Sequence, residues 1–299
     1  MSALAAQRQA LILEEVSRGG AVRVSALTRT LHVSDMTVRR DLDTLARQGL
    51  IDKVHGGATL PRTGGVEEPG FAAKQVRQRD EKEAIARCAA RLVRPGQAVG
   101  LSAGTTTWTL AHHLRAIPGI TVVTNSMEIA DVFHQSAMAD RTVVLTGGVR
   151  TPSDALVGPI AIAALRSLHL DTVFMGVHGM DMGAGYTTPN LLEAETNRAM
   201  IASGRRLVVV ADATKWGVVG LNSMATLSKA SALFTDASLS QSARQVLSDH
   251  VDDLVLVDPD ERWVAGRTPT GRVWPPTSTG RRATIACHHR SGRRGGDNE

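Results

Sequence analysis

The sequence predicts an α/β protein in two parts, an N-terminal helix-turn-helix with a hairpin wing and a larger C-terminal α/β domain on a mostly parallel sheet. Three observations predict it. A helix-length segment around residue 40 has an apolar back and an Arg/Thr-bearing front, and it follows another helix after a very short turn. From Phe71 to about Asp258, short continuous apolar runs alternate with helical periodicity. Between these patterns lies a Pro/Gly-rich stretch, residues 61–70. A chain of 299 residues is long enough for about two domains.

In the first part, Gln7–Ser17 places Leu11, Ile12 and Val16 at helical spacing and stops before Gly19-Gly20. Ser25 is expected to cap a helix through Ala26, Leu27 and Leu31. His32-Val33 makes a tight connection, and Ser34 caps a further helix that runs to about Gln48 and ends at Gly49. On that helix Val38, Leu42 and Leu45 form one stripe and should face a core. Met36, Arg40, Asp43 and Arg47 point the opposite way, with Thr37, Arg39 and Thr44 on the flanks. The second helix of such a pair lies in the major groove of DNA, where Arg meets guanine edges or phosphates and Ser or Thr meets bases or backbone. Leu50–Val54, which includes Lys53, reads as a strand followed by His55-Gly56-Gly57, and a short wing fits there. The unit therefore spans residues 5–60, with the helix-turn-helix at about 22–41. A solvated three-helix module with charges on its face would show the same periodicity.

In the second part, residues 71–258, helices are expected at Glu81–Val93, Trp108–Leu114, Met127–His134, Ile160–Leu168, Glu193–Ala202 and near Ser240–Ser248. Strands are expected at Ala98–Leu101, Ile120–Val123, Thr142–Leu145, Thr172–Met175, Leu207–Val210, Leu233–Phe234 and Leu254–Val257. Continuous apolar strands between helices imply a parallel sheet covered on both faces. Aromatic residues are only 3% of the chain, so its cores must be built from Ala, Val, Leu and Ile.

Charge is unevenly spread. Residues 1–62 hold nine basic and six acidic residues, a net +3, residues 63–259 are at −2, and residues 260–299 at +4. A polyanion would therefore meet an end of the chain. Residues 259–299, rich in Arg, Gly, Pro, Thr and Ser without periodicity, read as a disordered basic tail. Two cysteines cannot build a disulfide framework or a four-cysteine zinc site. No apolar run of about 18 residues predicts a membrane span, and the amphipathic N-terminus does not read as a signal peptide, so a cytoplasmic protein is expected.

The residues that could hold a ligand cluster at strand ends. Ser102-Ala103-Gly104-Thr105-Thr106-Thr107 combines a glycine turn with hydroxyls at the start of a helix, whose backbone N–H groups attract an anion such as a phosphate or sugar phosphate. It lacks P-loop spacing, and an ordinary strand–helix turn with Thr caps is the alternative. Thr124-Asn125-Ser126, Thr146-Gly147-Gly148 and Asp212–Lys215 follow other strands and are expected to converge on the same pocket. Lys215 would meet a phosphate and Asp212 sugar hydroxyls, unless the two form a surface ion pair. Glu193 and Glu195 are expected to be solvated, Cys88 to be a small core residue, and His112 and His113 to face apart. Cys287-His288-His289 lies in the tail as a remote candidate for metal. No catalytic constellation, cofactor or metal site is read.

Val33-Ser-Asp-Met-Thr-Val-Arg-Arg-Asp-Leu42, Leu45, Gly49 and His55-Gly-Gly-Ala58 resemble the DNA-binding signature of the DeoR family of bacterial transcriptional regulators. The resemblance continues through Glu68-Pro69, Phe71, Glu81-Lys82, Ile85-Ala86, Ala103–Thr107, Thr124–Ser126, Gly147-Gly148, Gly185–Thr188 and Asp212–Gly217. It implies a winged helix-turn-helix joined to a sensor domain similar to sugar-phosphate isomerases. It further implies a homo-oligomeric repressor of sugar or polyol catabolic genes, binding double-stranded operator DNA and released by a phosphorylated metabolite. By position, Thr37, Arg39 and Arg40 would meet DNA, and Thr105, Thr106, Asp212 and Lys215 would line the effector site. Ser102 departs from the family, which usually has Asp there, so the effector is expected to differ or to bind more weakly. An isomerase-like enzyme fused to a DNA-binding module is the alternative, and a nonspecific DNA binder a third.

Overall fold

The computed structural model describes residues 2–47, 50–54, 56–59, 70–135, 140–259 and 283–287. They divide into two compact units, one of residues 1–79 with 150–154 and one of residues 80–149 with 155–299.

The first unit opens with α1 (Ser2–Gly19), β1 (Ala21–Arg23), α2 (Val24–Leu31) and α3 (Asp35–Arg47). Strands β2 (Asp52–Val54) and β3 (Gly57–Thr59) follow, and the three strands pair antiparallel in the order β1-β3-β2. Ile12, Val16, Leu27, Val38, Leu42, Leu45, Ile51 and Ala58 form its core. The turn between α2 and α3 is tight because His32 adopts a left-handed conformation (φ 53°), and Ser34 Oγ accepts from Thr37 N at 3.2 Å, the expected cap. The other expected cap is corrected. α2 begins at Val24 without a side-chain cap, so Ser25 lies inside its first turn, and its carbonyl accepts from Thr28 Oγ1 and Arg29 Nε. β1, which pairs with β3, takes the chain directly into α2. Gly57 lies so close to Val22 that an added Cβ would stand 2.1 Å from its carbonyl oxygen. Helix α4 (Phe71–Gln75) belongs to this unit, since Ala73 packs in its core. The compact division therefore falls at Arg79/Asp80 rather than before Phe71. The expected helix end at Gln48-Gly49, His55, and residues 61–69 of the expected linker lie outside the described residues.

The second unit contains α5 (Arg79–Ala89, with Arg79 itself on the boundary), β4 (Ala98–Leu101), α6 (Thr105–Leu114), β5 (Thr121–Thr124), α7 (Met127–His134) and β6 (Thr142–Leu145). After β7 (Val149–Arg150) and β8 (Leu156–Val157) come α8 (Pro159–Arg166), β9 (Thr172–Met175), β10 (Gly179–Asp181), β11 (Gly185–Thr188), α9 (Leu191–Ser203) and β12 (Leu207–Val210). The chain continues through β13 (Asn222–Ala225), β14 (Ala232–Asp236), α10 (Gln241–His250), β15 (Asp253–Val257) and β16 (Ala283–Cys287). Eight strands make one parallel sheet in the order β16-β15-β14-β12-β9-β4-β5-β6. Both faces are buried, one under a cluster that includes Ile85, Leu110, Phe174 and Phe234 and the other under one that includes Leu165, Met200, Leu233 and Leu247. That explains the continuously apolar strands.

In this unit β7, β8, β10, β11, β13 and β16 were not among the expected strands. β10, β11 and β13 form a small antiparallel sheet, and their residues (GMD, GYTT, NSMA) are too short and polar to show period 2. The tail reading is corrected over Ala283–Cys287, which pairs in parallel with β15 from Asp253↔Ala283 to Val257↔Cys287. An edge strand offers unpaired N–H and C=O groups to any short extended segment. The remainder of the tail, with His288 and His289, lies outside the described residues. Glu193 is also corrected. It is buried, and its carboxylate accepts from Thr188 Oγ1 at 3.2 Å, whereas Glu195 is exposed as expected.

Candidate DNA-reading helix and ligand site

In the first unit α3 separates two faces. Val38, Leu42 and Leu45 are buried, while Met36, Arg39, Arg40 and Asp43 are exposed. Asp35 holds Arg39 at 3.1 Å one turn on, Asp43 pairs with Lys53 of β2, and Thr44 Oγ1 donates to the Arg40 carbonyl. Exposed pairs of this kind contribute little stability, so Arg39 and Lys53 remain available to an anionic partner. Of Arg47 the structure describes only the backbone. Asp41 shows where periodicity fails. It is buried, and its two carboxylate oxygens accept from Arg8 Nε (2.5 Å), Arg8 Nη2 (3.2 Å) and Gln9 Nε2 (3.1 Å), which binds α3 to α1. A bidentate Arg–carboxylate pair is a strong, directional lock, and it holds the Arg8 guanidinium protonated above its ordinary range.

In the second unit the strand order reverses between β4 and β9. From β4 the chain steps to β5 and β6, then returns to β9 on the other side and continues to β12. In such sheets a ligand binds beyond the carboxyl ends of the two strands at the reversal. Ser102 follows β4 there and Gly176 follows β9, and Ser102 Oγ accepts from Gly176 N at 3.0 Å, tying the two strand ends together. Ser102 is fully buried. Gly104 (φ +155°) turns the chain into α6, which has no side-chain cap, so the N–H groups of its first turn stay open. Thr107 Oγ1 donates back to the Gly104 carbonyl at 2.9 Å, while among the described residues the hydroxyls of Thr105 and Thr106 have no protein partner.

The other predicted positions differ in what they have left to offer. Asn125 Oδ1 accepts from Ala103 N (2.8 Å) and its Nδ2 donates to the Leu156 carbonyl (3.1 Å), so this side chain shapes the loop. Ser126 caps α7. Asp212 is buried and caps the short turn Ala213–Lys215, accepting from Thr214 N and Thr214 Oγ1. Gly148 is required by packing: at φ +121° an added Cβ would stand 2.5 Å from the Val157 carbonyl oxygen. Strands lie about 4.8 Å apart, so Gly147-Gly148 beyond β6 and Asp212–Lys215 beyond β12, four spacings away, are separated by roughly 19 Å. The two loops therefore flank the end of β4 from opposite sides, two strands away on each. Two positions went unread in the sequence. Gly176 follows β9 as Gly104 follows β4, and a strand ending in glycine was the available signal. Asp236, which ends β14, accepts from Ala213 N at 2.7 Å. A groove of about 650 Å³ between α8 and α9 lies at the opposite, amino ends of β9 and β12. Among the described residues no group of His, Cys, Asp and Glu could hold a metal, and no helix is long and apolar enough to cross a membrane.

Residues 8–63 match the DeoR-like helix-turn-helix domain and residues 77–237 the DeoR C terminal sensor domain. The uncharacterized HTH-type transcriptional regulator YgbI of Escherichia coli K12 is 37% identical, with 81% of this chain and 93% of YgbI aligned. The HTH-type transcriptional regulator GlpR of Haloferax volcanii is 35% identical over 81% of this chain and 94% of its own length. The glycerol-3-phosphate regulon repressor of E. coli K12 is 33% identical over 84% of this chain and 98% of its own length. The chain belongs to the DeoR family of helix-turn-helix transcriptional regulators. These relatives are all named as regulators or repressors. Among solved structures, ribose 5-phosphate isomerase A of Methanocaldococcus jannaschii aligns at 16% identity with a TM-score of 0.33, over 45% of this chain and about half (53%) of that chain. A likeness of that size carries no argument here.

Proposed function

We propose that this protein is a cytoplasmic, homo-oligomeric repressor of sugar or polyol catabolic genes, released from operator DNA by a phosphorylated sugar or polyol. Residues 5–60 are the DNA-binding part, and the sensor lies within residues 71–258. The observation that carries this reading is the front of α3, where Met36 and Arg40 stand exposed over a back of buried Val38, Leu42 and Leu45. Ser34, Thr37, Arg39, Arg40, Thr44, Arg47 and Lys53 contact bases or phosphates, with Met36 among them.

In the sensor, the phosphate sits on the open first turn of α6, between Gly104 and Thr107, with Thr105 and Thr106 adding hydroxyls. Lys215 supplies a counter-charge from the β12 side. Asp212, Asn125, Ser126 and Ser102 act mainly by holding the loops, because their polar atoms are already engaged, and Gly147-Gly148 borders the site. The name of the glycerol-3-phosphate repressor supports a phosphorylated polyol as the class of effector.

The experiment uses a duplex selected by the full chain from random DNA. Arg40→Ala should weaken binding roughly 5- to 100-fold, the worth of one good base contact, with an unchanged circular dichroism spectrum. A thermal-shift panel of phosphorylated sugars and polyols should contain ligands that raise the melting temperature. Lys215→Ala should keep DNA binding and lose the response to the stabilising ligand. Unaltered operator affinity in Arg40→Ala removes α3 from the DNA face, and normal release of Lys215→Ala moves the effector site elsewhere.

A further inference from the structure

We infer that Met36 reads the C5 methyl of a thymine, making it a specificity-determining residue of α3. The inference rests on the assignment of α3 to the major groove. Met36 is 81% exposed, the largest exposure of any large apolar side chain among the described residues. A single exposed apolar residue means little by itself, but the surroundings of this one are telling. The polar groups of the same turn are engaged with one another: Ser34 Oγ and Thr37 Oγ1 share a hydrogen bond at 2.9 Å, and Asp35 holds Arg39 at 3.1 Å. Met36 is the apolar group that this turn sends outward, from the end of a recognition helix that meets base edges. A thioether is at most a weak hydrogen-bond acceptor. The apolar feature of the major groove is the thymine methyl, which is absent from cytosine and from the minor-groove edges.

The helix also fixes where that thymine lies. Arg40 is four residues on, on the same face, about 6 Å along the axis. At 3.4 Å per base pair that is under two steps, so the thymine lies within two base pairs of the position Arg40 contacts.

The test replaces each thymine of the selected duplex in turn by uracil, which lacks only the methyl, and measures affinity of the full chain at fixed salt. One thymine per half-site should cost the wild type about three- to fivefold, the effect of one methyl group leaving an apolar contact. Met36→Ala should bind the thymine duplex weaker by a similar factor and be indifferent to uracil at that position, while Met36→Leu should keep the dependence. A wild type insensitive to uracil at every thymine overturns the inference, and so does a Met36→Ala protein that retains the sensitivity. If Arg40→Ala still weakens binding in those cases, only the Met36 assignment falls. If Arg40→Ala is also silent, the reading of α3 falls with it.

Discussion

Tyr186 is the chain's only tyrosine, and its ring fills the core beside Met180 and Met200. Its hydroxyl is buried without a hydrogen-bond partner among the described residues. Leaving such a group unpaired costs roughly 1–3 kcal/mol, so Tyr186→Phe should leave the melting temperature unchanged or raise it. Burial alone drives the Tyr186 pKa upward. The folded protein then holds the phenol proton where an unfolded chain, with a pKa of about 10, releases it. The sign follows: the contribution is complete below about pH 10, and stability falls as the pH rises above it. Alkaline titration followed by tyrosinate absorbance should show no ionisation before unfolding. Ser102 is the opposite case, a buried hydroxyl that accepts from Gly176 N. Ser102→Ala strands that N–H and should lower stability by about 1–3 kcal/mol, read by urea unfolding of the full chain.

Among the elements, α3 and the turn into β7 show how much each depends on its neighbours. The stripe of Val38, Leu42 and Leu45 was legible from spacing, because a helix that buries one face must repeat near 3.6 residues. The lock of Asp41 onto Arg8 was not, because it joins positions 33 residues apart. Asp41→Asn keeps the shape and removes the charge from that bidentate pair. It should destabilise the helix-turn-helix unit by about 1–3 kcal/mol, measured as earlier loss of helical signal on heating. Gly148 looked like a ligand-loop glycine, yet the Val157 carbonyl leaves no room for a Cβ. Gly148→Ala should lower the melting temperature whether or not effector is present. An effect confined to effector response would instead restore it as a ligand contact.

For the whole molecule, the proposed switch has a thermodynamic requirement. If a phosphorylated effector lowers operator affinity by some factor, operator DNA must lower effector affinity by the same factor. Paired titrations, one of DNA with effector and one of effector with DNA, should return equal coupling, and unequal factors would mean that the two do not act through one equilibrium. Such a switch also requires the effector to distinguish two conformations.

The sequence by itself determined the class of each part, most central strands to within a residue or two, the recognition stripe of α3 and the family. Each of these is written in local periodicity, short motifs or turn chemistry. Only the tertiary structure decided which candidates share a site. Strand order along the sheet is set by crossovers that leave no local trace, so Gly176 and the end of β9 came to Ser102 unannounced, and Gly147-Gly148 was carried four strands from Asp212. It also decided which polar side chains are spent on the fold. Asn125, Ser126 and Asp212 have the same composition whether they face a ligand or cap a loop, and only their hydrogen-bond partners, distant in sequence or fixed by the local turn, tell the two apart.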